Sequence, residues 1–374
     1  MARFFRPNFL DHFNLSNTQL GDMFSFYGVI AFLSYFPGGL LADKFSPRKL
    51  ISTSLILTGL GGIIINYLSN GPNILYYVFA YWGFTTIFLF WSALIKATRD
   101  WGGDLSQGKA FGILDGGRGL AASVFASIAI FYFGQELSEN FKHVILFYTI
   151  ATLVVGVLAW IILEDSSSSD GQDSEFDFKQ VLYVLKNINI WKISIIVICA
   201  YCGYKSLDNY GLYATEILGM SDVASTKFVT SISYSRSVVA ILAGFFADKW
   251  NTKNVILVCS LTLLLSYFLL GFVSASLMTL IYINIICSVF AVYALRAVYF
   301  ALMEEVNVKR NATGTAVGVI SLMGYTPDIF FSSITGRVLD YGENSFQYYF
   351  LLMSGISLLG LISIYTLETR KRLN

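Results

Sequence analysis

The sequence predicts an all-α polytopic membrane protein built as two parallel repeats, and three observations carry that prediction. Of 374 residues 55% are apolar and only 13% charged, about half the charge density of an ordinary soluble domain. The mean hydropathy of +0.63 is concentrated in uncharged runs as long as the roughly 20 residues that cross a bilayer. Two short motifs also recur at nearly one offset along the chain. Lys plus Arg (25) and Asp plus Glu (24) leave a net charge of +1. The chain therefore has no basic field for nucleic acid and no acidic field for cationic partners. The four cysteines (Cys199, Cys202, Cys259, Cys287) fall in apolar segments and the two histidines (His12, His143) outside the membrane core. That distribution argues against a disulfide framework, a zinc cluster and bis-histidine haem ligation. No metal and no cofactor is expected.

Taken in order, Met23 to Ala42 reads as the first span, followed by Leu50 to Leu68, Ile74 to Ile95, Ala110 to Phe133 and Val144 to Leu163. The segment 164–177 (EDSSSSDGQDSEFD) is polar, acidic and Ser-rich, the composition of a flexible linker. A surface amphipathic helix is expected from Phe176 to Asn187. Ile193 to Thr215 and Phe228 to Ala247 follow as spans. Val255 to Leu295 holds 41 residues without a charge, which is two crossings with a turn at Ser274-Ala275-Ser276. Ala312 to Ile334 and Ser345 to Leu367 complete eleven spans. The organisation is thus an N-terminal membrane repeat over 1–163, a linker and amphipathic helix over 164–190, and a C-terminal membrane repeat over 191–374.

Alternate connections carry sixteen Lys and Arg on one side, among them Lys44, Arg48, Lys49, Lys96, Arg99 and Arg370 to Arg372. The other side has five: Arg3, Arg6, Lys142, Lys227 and Arg337. The first side is cytoplasmic by the positive-inside rule, which puts the C-terminus inside. Met1 to Leu20 lacks the apolar core of a cleavable signal peptide.

The repeat emerges from fixed-offset comparison. Gly39-Leu-Leu-Ala-Asp43-Lys44 recurs as Gly244-Phe-Phe-Ala-Asp248-Lys249, an offset of 205, and Gly108-Lys-Ala-Phe-Gly112-Ile-Leu recurs as Gly314-Thr-Ala-Val-Gly318-Val-Ile, an offset of 206. Parallel membrane repeats joined by a linker are a layout in which a solute site forms between halves that rock against each other.

These residues resemble the major facilitator superfamily of secondary transporters, whose loop signature runs roughly G-x-x-x-D-[RK]-x-G-[RK]-[RK]. Here Gly39, Asp43, Lys44, Arg48 and Lys49 match it, with Ser46-Pro47 in place of the Gly-Arg pair, and Gly244, Asp248, Lys249 and Lys253 form the second copy. The resemblance implies a twelve-helix fold. Subtracting the offset from Ile193 to Thr215 places the counterpart of that helix mostly before Met1, so eleven spans are expected with the first helix of the pattern missing. Gly108 to Gly119 and Gly324-Tyr-Thr-Pro-Asp328 further resemble prokaryotic members described as nitrate/nitrite-porter-like. In that branch arginines on helices 2 and 8 bind the anion. Arg236 resembles the second, and Ala31 stands at the repeat-equivalent position of the first.

An ionisable group within the bilayer costs about 3 kcal/mol even on lenient insertion scales, so each needs a partner or a task. Lys205 falls near the middle of helix 7 with Asp208 one turn on; the pair reads either as an anion contact and its tuning carboxylate or as a local ion pair. Arg236, near the middle of helix 8, has no charged neighbour one turn away. Its planar fork suits an oxyanion. Tyr201 and Tyr204 are within one turn of Lys205 and could hydrogen-bond a polar ligand or pack the core. Arg296 is expected to snorkel to Glu304-Glu305. Asp115 and Arg118 read as an inner-gate pair or a stabilising pair, and Asp328 after Pro327 as a polar wall or proton site. Gly39, Asp43, Lys44, Arg48, Lys96, Arg99, Asp115, Arg118, Asp248 and Lys249 form the expected gating set.

The sequence therefore predicts a secondary active transporter of a small polar, anionic solute in a bacterial inner membrane. Coupling to a proton or counter-anion is expected, with the lipid bilayer as surroundings and a monomer as the unit. No nucleotide-binding motif and no catalytic constellation points to an enzyme. A non-transporting membrane sensor of the same fold is the alternative.

Overall fold

The computed structural model describes residues 1–68, 71–102, 107–134, 137, 139–164, 178–273, 276–306 and 313–368. Eighteen α-helices run through them: α1 (Arg6–Phe13), α2 (Asn17–Lys44), α3 (Pro47–Leu68), α4 (Pro72–Gly83), α5 (Ser92–Gly102), α6 (Gln107–Phe133), α7 (Phe141–Ile162), α8 (Phe178–Lys186), α9 (Ile188–Ser206), α10 (Tyr210–Glu216), α11 (Asp222–Ser233), α12 (Ser235–Trp250), α13 (Thr252–Phe272), α14 (Met278–Val298), α15 (Leu302–Glu305), α16 (Thr313–Gly324), α17 (Pro327–Leu339) and α18 (Ser345–Tyr365). Eleven stretches are long and apolar enough to cross a membrane, as the sequence leads one to expect. Several combine two helices. A π-helical segment, Phe84–Trp91, joins α4 to α5, and a 3-10 turn, Leu207–Asn209, joins α9 to α10.

Helix ends follow local chemistry. Ser16 caps α2 in a capping box with Gln19, satisfying two backbone donors at once. One repeat offset later the Ser221 hydroxyl accepts from the Ala224 N–H at the start of α11. The short α1 likewise stands at the repeat position of α10. At the opposite ends, lysines donate to terminal carbonyls, where the helix dipole favours a cation. Lys96 reaches Ala42 O at 2.8 Å, and Lys192 and Lys253 reach Thr366 O and Leu367 O, each at 2.6 Å. Pro47, Pro72 and Pro327 open α3, α4 and α17, a position where the missing N–H costs nothing.

Burial runs opposite to the pattern of a soluble protein. The most apolar span, Phe141–Ile162, is 17% buried, whereas Ile188–Glu216, much less apolar, is 56% buried. An apolar helix left exposed is one solvated by lipid, so the chain is an integral membrane protein.

Two compact units form. The first comprises Met1–Ser174, Ser221–Thr230 and Asp328–Arg337. In it α3 packs along α7 and α2 along α4, around a cluster of Ala42, Leu50, Ile51 and Ala93. The residue 328–337 part of α17 meets α2 at van der Waals range: a Cβ on Gly28 would stand 2.1 Å from Asp328 O. Close beside it, Arg337 pairs with Asp22 at 2.6 Å, and Ser333 hydrogen-bonds both side chains. The second unit comprises Glu175–Met220, Ser231–Pro327 and Val338–Asn374, with α13 packed between α14 and α18 and α9 against α18. Of the acidic linker, residues 165–177 lie outside the described residues. The amphipathic helix expected after it is α8, with Val184 buried and Leu182 and Leu185 exposed.

Candidate functional site

At four places within the second unit a span loses regular α-helix. α9 gives way to the 3-10 turn after Ser206, α11 and α12 are separated at Tyr234, α14 passes into a 3-10 turn at Tyr299–Ala301, and Tyr325-Thr326 separates α16 from α17. Non-helical backbone within a membrane is tolerated only where protein or a water-filled cavity satisfies its polar groups. Such breaks are where transporter folds place ligand sites. The break after α9 is held by a buried hydroxyl network. Tyr349 donates to Ser206 O at 3.1 Å and accepts from Asn209 Nδ2 at 3.1 Å, while the hydroxyls of Ser206 and Tyr267 lie 2.9 Å apart and those of Tyr210 and Ser288 2.6 Å apart.

The side chains beside these breaks converge on the ring of Tyr204. The Arg236 guanidinium carbon is 5.7 Å from the ring centroid, and its Nη1 is 3.5 Å from the Tyr204 hydroxyl. From α14, the Arg296 guanidinium lies over the same ring at 4.0 Å and 5.5 Å from the Tyr201 ring. Tyr201 in turn meets Tyr325 edge to face, with centroids 5.0 Å apart. Lys205 and Asp208 stand 3.9 Å apart, both largely buried. The structure thus brings together Tyr201, Tyr204 and Arg236 around one ring, with the Lys205–Asp208 pair on the adjoining turn.

Arg296 lies over Tyr204, while the side chains of Glu304 and Glu305, the partners expected for it, lie outside the described residues. The Arg296 guanidinium points to Tyr204 because a helical side chain leans toward the N-terminus of its own helix. Arg296 Nη1 is buried with no hydrogen-bond partner among the described residues. Tyr201, Tyr204, Tyr299 and Tyr325 supply its electrostatic surroundings, and none carries a charge at neutral pH. A cation over an aromatic ring recovers about 0.5–2 kcal/mol, less than the roughly 3 kcal/mol that lenient scales assign to an intramembrane arginine.

The expected gating residues are dispersed along the helix ends. Gly39 and Gly244 have open space where a Cβ would stand, and Lys44 and Lys249 are exposed. Arg48 lies over Trp160 at 5.0 Å and Arg118 over Trp91 at 5.2 Å. Lys96 caps α2, one residue before Asp43. The side chains of Asp43, Arg99, Asp115 and Asp248 lie outside the described residues, as do those of Glu304 and Glu305. Asp328 sits in the first turn of α17. Sequence reasoning missed Tyr299, Tyr325, Tyr349, Ser206 and Asn209; only Tyr325 carried a signal, its place beside Pro327. A separate cavity of about 570 Å³ between α12, α13 and α14 is lined by side chains such as Val238, Leu242, Phe246 and Phe290 and offers little to a charged solute.

A family model described as the Major Facilitator Superfamily matches residues 2–332. Inner membrane protein YqcE of Escherichia coli (strain K12) is 29% identical over 364 residues, covering 94% of this chain and 85% of the relative. Membrane sensor protein UhpC of the same strain is 22% identical, over 97% and 87% of the two chains. The hexuronate transporter of Bacillus subtilis (strain 168) is 21% identical, over 96% and 87%. Among solved structures, a bacterial homologue of the human lysosomal transporter Spinster, inward-facing and occupied, matches with a TM-score of 0.75 at 13% identity, covering 97% of this chain and 91% of that one.

Proposed function

Since the chain belongs to the major facilitator superfamily, a family of transporters rather than enzymes, we propose that it carries a small organic anion across a bacterial inner membrane as a secondary active transporter. The observation that carries this reading is the position of Arg236, which meets Tyr204 where four spans break. A guanidinium there offers paired donors to an oxyanion, Lys205 adds a second cation tuned by Asp208, and Tyr201 and Tyr204 supply hydroxyls. The likeness to a hexuronate transporter, whose named solute is a carboxylate, supports the sign of the charge. In this reading a proton or counter-anion drives alternating access by a monomer whose C-terminus is cytoplasmic. The two membrane repeats, 1–163 and 191–374, move about the 164–190 linker. Gly39, Asp43, Lys44, Arg48, Lys96, Arg99, Asp115, Arg118, Asp248 and Lys249 act at the gates rather than on the solute.

The test is uptake into proteoliposomes of a panel of inorganic anions, carboxylates, organophosphates and neutral sugars. Anions are expected to enter, and Arg236→Lys is expected to lower affinity by about tenfold or more, because an ammonium replaces a two-pronged donor with a point charge. Uptake confined to neutral or cationic solutes, or normal transport by Arg236→Lys, would refute the proposal. The likeness to a membrane sensor favours one other reading, a receptor, whose outcome is anion binding without uptake.

A further inference from the structure

We infer that Arg296 is a second anion-binding residue of this site, and that with Arg236 it selects a doubly charged oxyanion, a phosphate monoester, over a carboxylate. The inference rests on the anion-transport reading above and names the solute class. Arg296 Nη1 is buried and unpartnered among the described residues, while the residue as a whole keeps partial exposure, so a ligand can reach it. With Tyr204 against the guanidinium at 4.0 Å, the Nη1 donors, which lie in the guanidinium plane, remain for an acceptor that the described residues do not supply. Lys205 has Asp208 within 3.9 Å as counter-charge; Arg296 has four phenols around it. Two guanidiniums held at 5.7 and 4.0 Å from one ring centroid repel each other, and a dianion between them converts that repulsion into attraction.

The stoichiometry of donors separates the two solute classes. A carboxylate has two oxygens and one charge, which a single arginine fork engages completely. A phosphate monoester has three terminal oxygens and a charge near −2 at neutral pH, enough to serve two forks. Arg296→Gln should therefore remove selectivity, whereas Arg236 variants weaken both classes.

The experiment measures binding of glycerol 3-phosphate and glucuronate to the purified full-length protein, with size-exclusion profiles as the folding control. The wild type should bind glycerol 3-phosphate about tenfold or more tightly than glucuronate, and Arg296→Gln should abolish that preference by weakening the phosphate ester alone. Because the second phosphate proton leaves near pH 6, wild-type affinity for the ester should rise from pH 5.5 to 7.5 and the rise should flatten in the variant. Arg296→Lys, which keeps the charge, should retain part of both effects and serves if Arg296→Gln does not fold. A wild-type preference for glucuronate, or an Arg296→Gln loss equal for both probes with the pH slope unchanged, would overturn the inference while leaving anion transport standing. Binding of neither anion would sink the transport reading itself.

Discussion

Replacing Tyr349 with Phe removes one oxygen atom from the support of the candidate site. Tyr349 is fully buried, and its hydroxyl joins α18 to both sides of the break in the sixth span: it donates to Ser206 O and accepts from Asn209 Nδ2, each at 3.1 Å. Asn209 Oδ1 is already buried without a partner among the described residues, so the substitution leaves that amide with no bond from this network. Two hydrogen bonds at the 0.6 kcal/mol typical within membrane proteins give about 1 kcal/mol, and stranding buried partners raises the cost toward about 3 kcal/mol. Tyr213 is the matched control: it is equally buried and packs edge to face on Phe346 and Phe350, and it lies outside the network. Thermal unfolding of the purified protein should show a midpoint several degrees lower for Tyr349→Phe at about 2–4 °C per kcal/mol, with Tyr213→Phe near the wild type. Solute affinity should fall as well, because Tyr204 and Lys205 sit on the last turn of α9, which Ser206 ends. Equal midpoints for the two variants would show that the break holds itself and that the hydroxyl network is incidental.

Two further outcomes follow from particular contacts. Gly28→Ala would drive a Cβ to 2.1 Å from Asp328 O, so α2 and α17 must part, whereas Gly117 has open space at the same point; a cost of about 1–3 kcal/mol is expected for the first and almost none for Gly117→Ala, read as thermal midpoints. Outside the spans, His12 is held below its usual range by burial against Phe13 and Phe141 and by the Lys142 ammonium. A depressed imidazole leaves stability full above about pH 6.5 and lost as pH falls toward the folded value, since the unfolded chain binds the proton first. Unfolding midpoints measured from pH 7.5 downward should decline, and His12→Gln should flatten the decline.

The spans were legible because hydrocarbon thickness imposes one length and one composition on each. Ser345 to Leu367 and the observed Ser345–Tyr365 differ by two residues, and α13 ends at Phe272 and α14 begins at Met278, on either side of the turn expected at 274–276, of which 274 and 275 lie outside the described residues. The breaks were not equally legible. Pro327 announced the one before α17, but nothing in Lys205-Ser206-Leu207-Asp208 forbids helix. The change to a 3-10 turn there depends on Tyr267 and Tyr349, far along the chain, reaching Ser206. The contact of Arg296 with Tyr204 was not legible either, because no local spacing announces it. Tyr204 lies on a helix ninety residues away in the sequence.

One property of the spans ties the fold to transport. Counted along the chain, the first, fourth, seventh and tenth spans (Asn17–Ala42, Gly116–Phe133, Asp222–Ala247 and Ala316–Leu339) are among the least apolar, yet only 22–28% of each is buried. An exposed helix facing lipid all round needs the composition of Phe141–Ile162, the most apolar of the eleven; these four lack it. They also carry Asp22, Arg118, Asp222, Lys227, Arg236, Asp328 and Arg337, seven of the seventeen charges within the spans. Lipid is the wrong solvent for those faces, since a charge in hydrocarbon is costly. Water, a solute or another polar helix must meet them for part of the protein's working life. The recurrence at every third span appears in both repeats, so the requirement belongs to the architecture and not to one local site. Arg236 lies on the seventh span, which puts the residue assigned to the anion on a helix built to face something other than lipid.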